Sequence, residues 1–580
     1  MSKFESNHNK DSKIAPVTSM GVQQTNSISI STKSSKPTMV RCMLSVAVAS
    51  SLLLMAGCGD DDTTITTEYI TSVQTINTFN KAQIDGGFGL KNTATPAAKC
   101  DIKIEKVSYP TVGAAGERTN ATAALMLPSG DSADCQGDRP VLLYAHGTTT
   151  EKTYDFSQVG NPQNPAGSEA TLIAANFAAQ GYIVVAPNYA GYDDSELDYH
   201  PYLVADQQST DMVDALDSAR VIIKKQQRSN DTKYTNIDDS GELFISGYSQ
   251  GGYVAMAAAR LLEQQGKSVT AIAPSSGPYA LAAFGDTIFS GNVNIGATRF
   301  APLLATGLQK KYKNIYQNST DIFTTNYSNT QLPSLLSFGE LVAANKLPDN
   351  ALFEDNPENN PTLDMLRPPT VPFAFLGFAD DNYLIKTDFR TTYVADALQN
   401  PDSLIAKTGV LPADSPQNNL RKALKANDLR GYIPKIPTLI CGGNQDPTVY
   451  YDLNTGSMSA ILQQASMSPA ASLNITVLDV DATNDDDRDQ NTVLSIGSAA
   501  MSNAWMNTDT IDNIQNRFAT TLTAVQNQAI ADAQSAGVTD PELLAQAASA
   551  AVLASYHGGL ASASCTQAAR EFFEQNFRQS

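Results

Sequence analysis

Positive charge is scarce in this chain. It carries 39 Lys and Arg against 59 Asp and Glu, a formal net charge of −20. A nucleic-acid partner is excluded on that ground, because a phosphate backbone is held by clustered cationic side chains. Histidine is rarer still, with four residues in all, so a histidine-dependent chemistry has few places to reside. No internal repeat, zinc-ligand spacing, phosphate loop or dinucleotide fingerprint is present, and neither metal nor organic cofactor is implied. Hydrophobic residues make up 42% of the 580, enough to build one large decorated core.

The N-terminal part divides by composition. Residues 1–38 are polar and rich in Ser, Thr, Asn and Lys, a prefix that should not pack and that lies upstream of a second candidate start, Met39. Arg41 then precedes an apolar run over 43–55, which ends in Ala56-Gly57-Cys58. A basic flank, a short apolar stretch and small residues before a boundary are the parts of a secretory signal. The run is too short for a membrane span. Met55-Ala56-Gly57-Cys58 resembles the bacterial lipobox. The resemblance implies a signal over 39–58, acylation of Cys58, and export to the cell envelope as a lipid-anchored protein, at the outer membrane in a Gram-negative cell. Residues 59–97 read as a tether that opens with an acidic stretch.

From residue 98 short β-rich runs alternate with helical ones. Segments 101–109 and 119–127 alternate apolar and polar residues, as half-buried strands do. Segments 141–145, 182–186, 243–246, 270–273, 438–441 and 475–478 are short apolar runs suited to strands buried on both faces. Helical patterns over 209–224, 252–264 and 449–464 lie between them. Alternating strands and helices predict a mostly parallel eight-stranded sheet with helices on both faces. The core is expected over 98–281, 431–481 and 551–580. A large helical lid interrupts it over 282–430, with apolar patches around Phe300 and Leu335, and an Ala- and Gln-rich helical insertion occupies 482–550.

Gly247-Tyr248-Ser249-Gln250-Gly251 follows a buried strand and opens a helix. Glycines flanking a serine at such a junction permit the tight turn that lifts a nucleophilic hydroxyl above a sheet. A serine nucleophile needs a base, which histidine supplies at neutral pH. His8 lies in the prefix, His146 directly follows the third expected strand, and His200 lies well before Ser249. His557 follows Ser249 and precedes a C-terminal helix expected over 564–577. Asp446, in Gly442-Gly443-Asn444-Gln445-Asp446-Pro447, follows an apolar strand and is the candidate acid. Asp380 and Asp381, within the lid, are weaker candidates.

These motifs, with Tyr144-Ala145-His146-Gly147-Thr148, resemble the α/β-hydrolase superfamily, and within it a secretory-lipase-like branch, over 98–281, 430–480 and 550–578. The resemblance implies a Ser249–Asp446–His557 triad in the order nucleophile, acid, base. It also implies an oxyanion hole from the backbone N–H groups of Gln250 and Thr148. His146 would then be structural or substrate-facing. One departure is the long stretch 482–550 before the histidine, read as an insertion into the last strand-to-helix loop. Cys100, Cys135, Cys441 and Cys565 remain outside the signal, an even number suited to an oxidising compartment. Of the three pairings, Cys100–Cys135 and Cys441–Cys565 join neighbouring parts of the expected fold; four buried thiols are the alternative. The expected activity is hydrolysis of an ester or lipid substrate through an acyl-enzyme. A serine peptidase with the same triad, or a non-catalytic surface lipoprotein on this scaffold, are the competing readings.

Overall fold

The computed structural model describes residues 71–87, 95–228, 237–366, 377–404, 410–468, 472–483, 492–497 and 508–577. The chain divides into two units, Met1–Thr66 and Thr67–Ser580. The first, which holds Cys58 and the run read as a signal, lies outside the described residues.

The second unit is built on a ten-stranded sheet. Its strands are β1 (Ser72–Phe79), β2 (Asp101–Val112), β3 (Arg118–Ser129), β4 (Gly137–Ala145), β5 (Ile183–Pro187), β6 (Ile237–Tyr248), β7 (Ala271–Ser275), β8 (Thr438–Gly442), β9 (Asn474–Asp479) and β10 (Val493–Gly497). Their spatial order is β1-β2-β3-β5-β4-β6-β7-β8-β9-β10. Neighbours from β5 through β9 pair in parallel. The pairs at the two ends of the sheet are antiparallel. The parallel strands carry the continuous apolar runs because helices cover both of their faces. This is the α/β-hydrolase fold.

All eight expected strands are present, and the sheet gains one more at each edge. β1 falls in the segment read as a tether, and β10 in the segment read as helical. Both are edge strands paired on one side only, and β1 is largely exposed. An edge strand that buries little shows no apolar run, so its sequence reads as a linker.

Two helices, α1 (Gly167–Asn176) and α9 (Ser562–Phe577), pack together on one face. α2 (Ala205–Arg228) and α3 (Gln250–Gln264) pack together on the other. Phe573 of α9 lies 4.6 Å from the Phe244 ring of β6, which fixes the C-terminal helix to the central strand. Between β7 and β8 the lid segment supplies α4 (Leu281–Phe289), α5 (Ala297–Tyr312) and α6 (Asn419–Ala426). After β10 the chain forms a hairpin of α7 (Thr508–Ser535) and α8 (Pro541–Ser555), the latter capped by Asp540, which accepts the Glu542 N–H at 2.8 Å. Among the described residues no helix is long and apolar enough to cross a membrane.

The cysteines pair as the fold suggested. Cys100–Cys135 ties the entrance of β2 to the turn before β4, and Cys441–Cys565 ties β8 to α9.

Candidate active site

Ser249 sits between the last residue of β6 and the first of α3, with φ 61° and ψ −124°. This left-handed backbone is costly for a residue with a side chain and occurs where neighbouring structure enforces it. The enforcement is visible at Gly251, where a Cβ would come within 1.9 Å of the Ala145 carbonyl oxygen. The Ser249 N–H donates to the Ser275 carbonyl of β7 at 3.0 Å. The helix start is thereby clamped against two strands, and Ser249 is 9% exposed.

Asp446 lies in the loop after β8. Its Oδ1 accepts the N–H groups of Thr448 and Val449 at 2.9 and 3.0 Å. Its Oδ2 lies 2.6 Å from His557 Nδ1. A carboxylate on Nδ1 selects the tautomer with its proton there, which leaves Nε2 as the basic nitrogen. Among the described residues Nε2 has no hydrogen-bond partner, and Ser249 and His557 are not hydrogen-bonded in this structure. They converge through Tyr248, the neighbour of Ser249, whose ring centroid is 5.0 Å from that of His557. Thr448 and Val449, which cap the acid, line the same cavity as Ser249. His557 does not leave the sheet directly. It sits in a wide helical turn, Tyr556–Ala561, between α8 and α9.

The other two described histidines are structural. His146 is stacked between Tyr154 and Tyr189, with centroids 4.3 and 4.2 Å away, and burial pushes it down to about 4. His200 is pushed down to about 3 by burial. Its Nδ1 bonds the Ala190 carbonyl at 2.9 Å, so its Nε2 is an acceptor, 2.7 Å from Gln250 Nε2. His200 thus holds the side chain of the residue beside Ser249, a role with no signal in the sequence.

At the candidate oxyanion hole, Gln250 opens α3, and its N–H has no carbonyl one helical turn before it. The Gly147 N–H is already taken by Glu169 Oε1 at 3.1 Å. Glu169 is itself buried and held by the hydroxyls of Tyr144 and Tyr154, each at 2.8 Å, and burial raises its pKa. That leaves the next amide, Thr148, whose hydroxyl lies 3.0 Å from Tyr202 Oη at the cavity wall. Glu169 of α1 left no signal in the sequence because its partners come from β4 and the loop after it, and no local pattern records them.

The cavity over Ser249 is almost wholly apolar. Leu281, Phe284 and Ile288 of α4, Phe300 and Leu304 of α5, and Leu424 of α6 contribute to its wall. The patch around Phe300 therefore faces Ser249, as expected of a lid. The patch around Leu335 does not: Leu335 is 78% exposed. Asp380 and Asp381 make no bond to His557; its carboxylate is Asp446. Among the described residues no three His, Cys, Asp or Glu side chains cluster as metal ligands do.

No protein-family model matches the sequence, and no curated protein sequence matches it. Solved structures do match. The rice cell wall degrading esterase LipA from Xanthomonas oryzae superposes with a TM-score of 0.54 at 22% identity, over 71% of this chain and 91% of that one. A ligand-bound form of the same esterase gives 0.54 at 23% identity with the same coverage. Candida antarctica lipase A superposes more loosely, with a TM-score of 0.38 at 14% identity, over 70% of this chain and 76% of that one.

Proposed function

We propose that this α/β-hydrolase-fold chain is a serine carboxylic-ester hydrolase, with Ser249 as nucleophile, His557 as general base and acid, and Asp446 as the orienting carboxylate. The observation that carries the reading is the 2.6 Å contact from His557 to Asp446 beside a strained Ser249. His557 Nε2 removes the Ser249 hydroxyl proton as Oγ attacks the ester carbonyl. The Gln250 and Thr148 N–H groups receive the developing oxyanion. Collapse expels the alcohol, which takes its proton from His557, and leaves an acyl-enzyme on Ser249. Water then gives a proton to His557 and attacks; the second collapse returns that proton to Ser249 and releases the acid. Asp446 stabilises the imidazolium in both halves.

The apolar cavity favours an acyl chain or another apolar acid, since its wall offers almost nothing for a polar substrate to bond. The likeness in fold to esterase LipA supports the ester class. The signal-like run before Cys58 supports an exported lipoprotein held at the cell envelope by its acylated N-terminus. The deciding experiment is fluorophosphonate labelling with a p-nitrophenyl ester panel. Wild type should be labelled on Ser249 and turn over esters in preference to peptide anilides. A Ser249→Ala variant with wild-type labelling or turnover would reject the assignment.

A further inference from the structure

The Tyr556 hydroxyl is buried between the acid loop and the turn that carries the base. It donates to Asp481 Oδ2 at 2.6 Å and accepts the Gln445 N–H at 3.0 Å. Gln445 directly precedes Asp446, and Tyr556 directly precedes His557. One phenol oxygen therefore joins the two loops whose side chains must meet. The approach is close enough that a Cβ at Gly443 would lie 2.7 Å from Tyr556 Oη. The Phe518 ring of α7 packs edge-on to Tyr556 at 5.5 Å.

Asp481 is itself held. The Thr483 N–H donates to its Oδ1 at 3.0 Å, and the Thr483 hydroxyl donates there too. Its own N–H donates to Asp479 Oδ1 at 3.0 Å, which also accepts the Asn444 N–H at 3.1 Å. Asn444 Nδ2 returns to the Asp481 carbonyl at 2.9 Å, and Gln515 of α7 holds the Asp479 carbonyl at 2.8 Å. This network sits at the end of β9, where the chain leaves the sheet for the insertion. Burial pushes Asp479 up to about 7 and the Tyr556 phenol far above its ordinary value, so Tyr556 keeps the proton it donates.

We propose that Tyr556, held by Asp481, is the positioning residue that registers His557 against Asp446. The inference rests on the serine-hydrolase reading above. Its physical reason is the insertion. His557 arrives from a helical hairpin, so no sheet hydrogen bond fixes its height above β8 and β9. The phenol supplies that fixed point from the sheet edge itself.

The test uses the full mature chain, with fluorophosphonate and p-nitrophenyl butyrate as probes. Tyr556→Phe removes one oxygen. Labelling rate and kcat should fall roughly 10- to 100-fold, with KM within about twofold. Asp481→Ala should fall as Tyr556→Phe does, and the double variant should be no slower than either. Asp481→Asn, whose carboxamide oxygen can still accept from Tyr556, should recover most of the loss. A folded Tyr556→Phe with kcat within about twofold of wild type would overturn the inference. So would a fall carried by KM rather than kcat, or Asp481→Asn as slow as Asp481→Ala. If Tyr556→Phe does not fold, the two Asp481 variants decide. Failure of wild type to label on Ser249 would instead reject the hydrolase reading.

Discussion

Cys441 and Cys565 are bonded across 124 residues, joining the strand that delivers Asp446 to the helix that follows His557. Both sulfurs are buried, and the bridge closes the loop that holds the entire insertion. The segments that carry Asp446 and His557 are thus tied together covalently on one side and by the Tyr556 hydroxyl on the other.

Removing that bridge should cost stability and alignment together. Cys441→Ala/Cys565→Ala should lower unfolding stability by about 2–5 kcal/mol in urea titrations. Its Ser249 labelling rate should fall at temperatures where the variant is still folded. Cys100→Ala/Cys135→Ala, remote from the site, should lose stability with an unchanged labelling rate; equal loss of labelling in both variants would contradict this.

The two conspicuous histidines separate by kinetics. His557→Ala should lose at least about 1,000-fold in kcat, as removal of a triad member does. His200→Ala removes the acceptor for the Gln250 side chain but leaves Ser249, Asp446 and His557 in place, and a loss near tenfold is expected. A reversed order in steady-state assays would reject His557 as the base.

His146 and His200 also set an acid sensitivity. Their pKa values in the fold are lowered, to about 4 and about 3, so the folded protein keeps both neutral. The unfolded chain takes up protons as pH falls through about 6.5. Their contribution is complete above that pH and is lost as pH falls toward 3, by up to a few kcal/mol in all. Urea stability should therefore drop from pH 7 to pH 5. His200→Gln should show a shallower drop; an equally steep one would count against this source.

Chain-length preference should respond to the lid. Ala301 lines the cavity beside Phe300 on α5. Ala301→Trp should lower kcat/KM for a decanoate ester about tenfold or more, while acetate hydrolysis changes little. An unchanged decanoate-to-acetate ratio would place the acyl chain elsewhere.

The anchor is tested by mass. Wild type should carry acyl chains on Cys58 and fractionate with membranes, and Cys58→Ser should be released or left unprocessed. An unmodified, freely soluble wild type would reject the lipid anchor.

Much of this architecture was legible because it is written locally. The six parallel strands are short runs buried on both faces, and burial leaves an apolar signal in the strand itself. The serine at a strand-to-helix junction is likewise legible, because a tight turn against Ala145 admits glycine and little else. With four histidines, chain order makes His557 the candidate base. β1 left no such trace, since Ser72–Phe79 is mostly exposed and its pairing partner supplies the order. Leu335 misled because an apolar residue on a lid segment carries no indication of which way it faces.

What the sequence determined by itself is therefore the eight inner strands and the turn under Ser249, with Asp446 and His557 as candidates, each specified by residues close together in the chain. What only the tertiary structure decided is how these parts meet. His200 against Gln250, Glu169 beneath Gly147, and Tyr556 between Asp481 and Gln445 each join segments far apart in sequence. Such contacts form between single polar atoms in a buried site, where a hydrogen bond needs the right distance and direction but no repeating pattern. A periodic apolar face is encoded many times over along its own segment. A bond between two distant side chains exists once, and only after the core has closed around it.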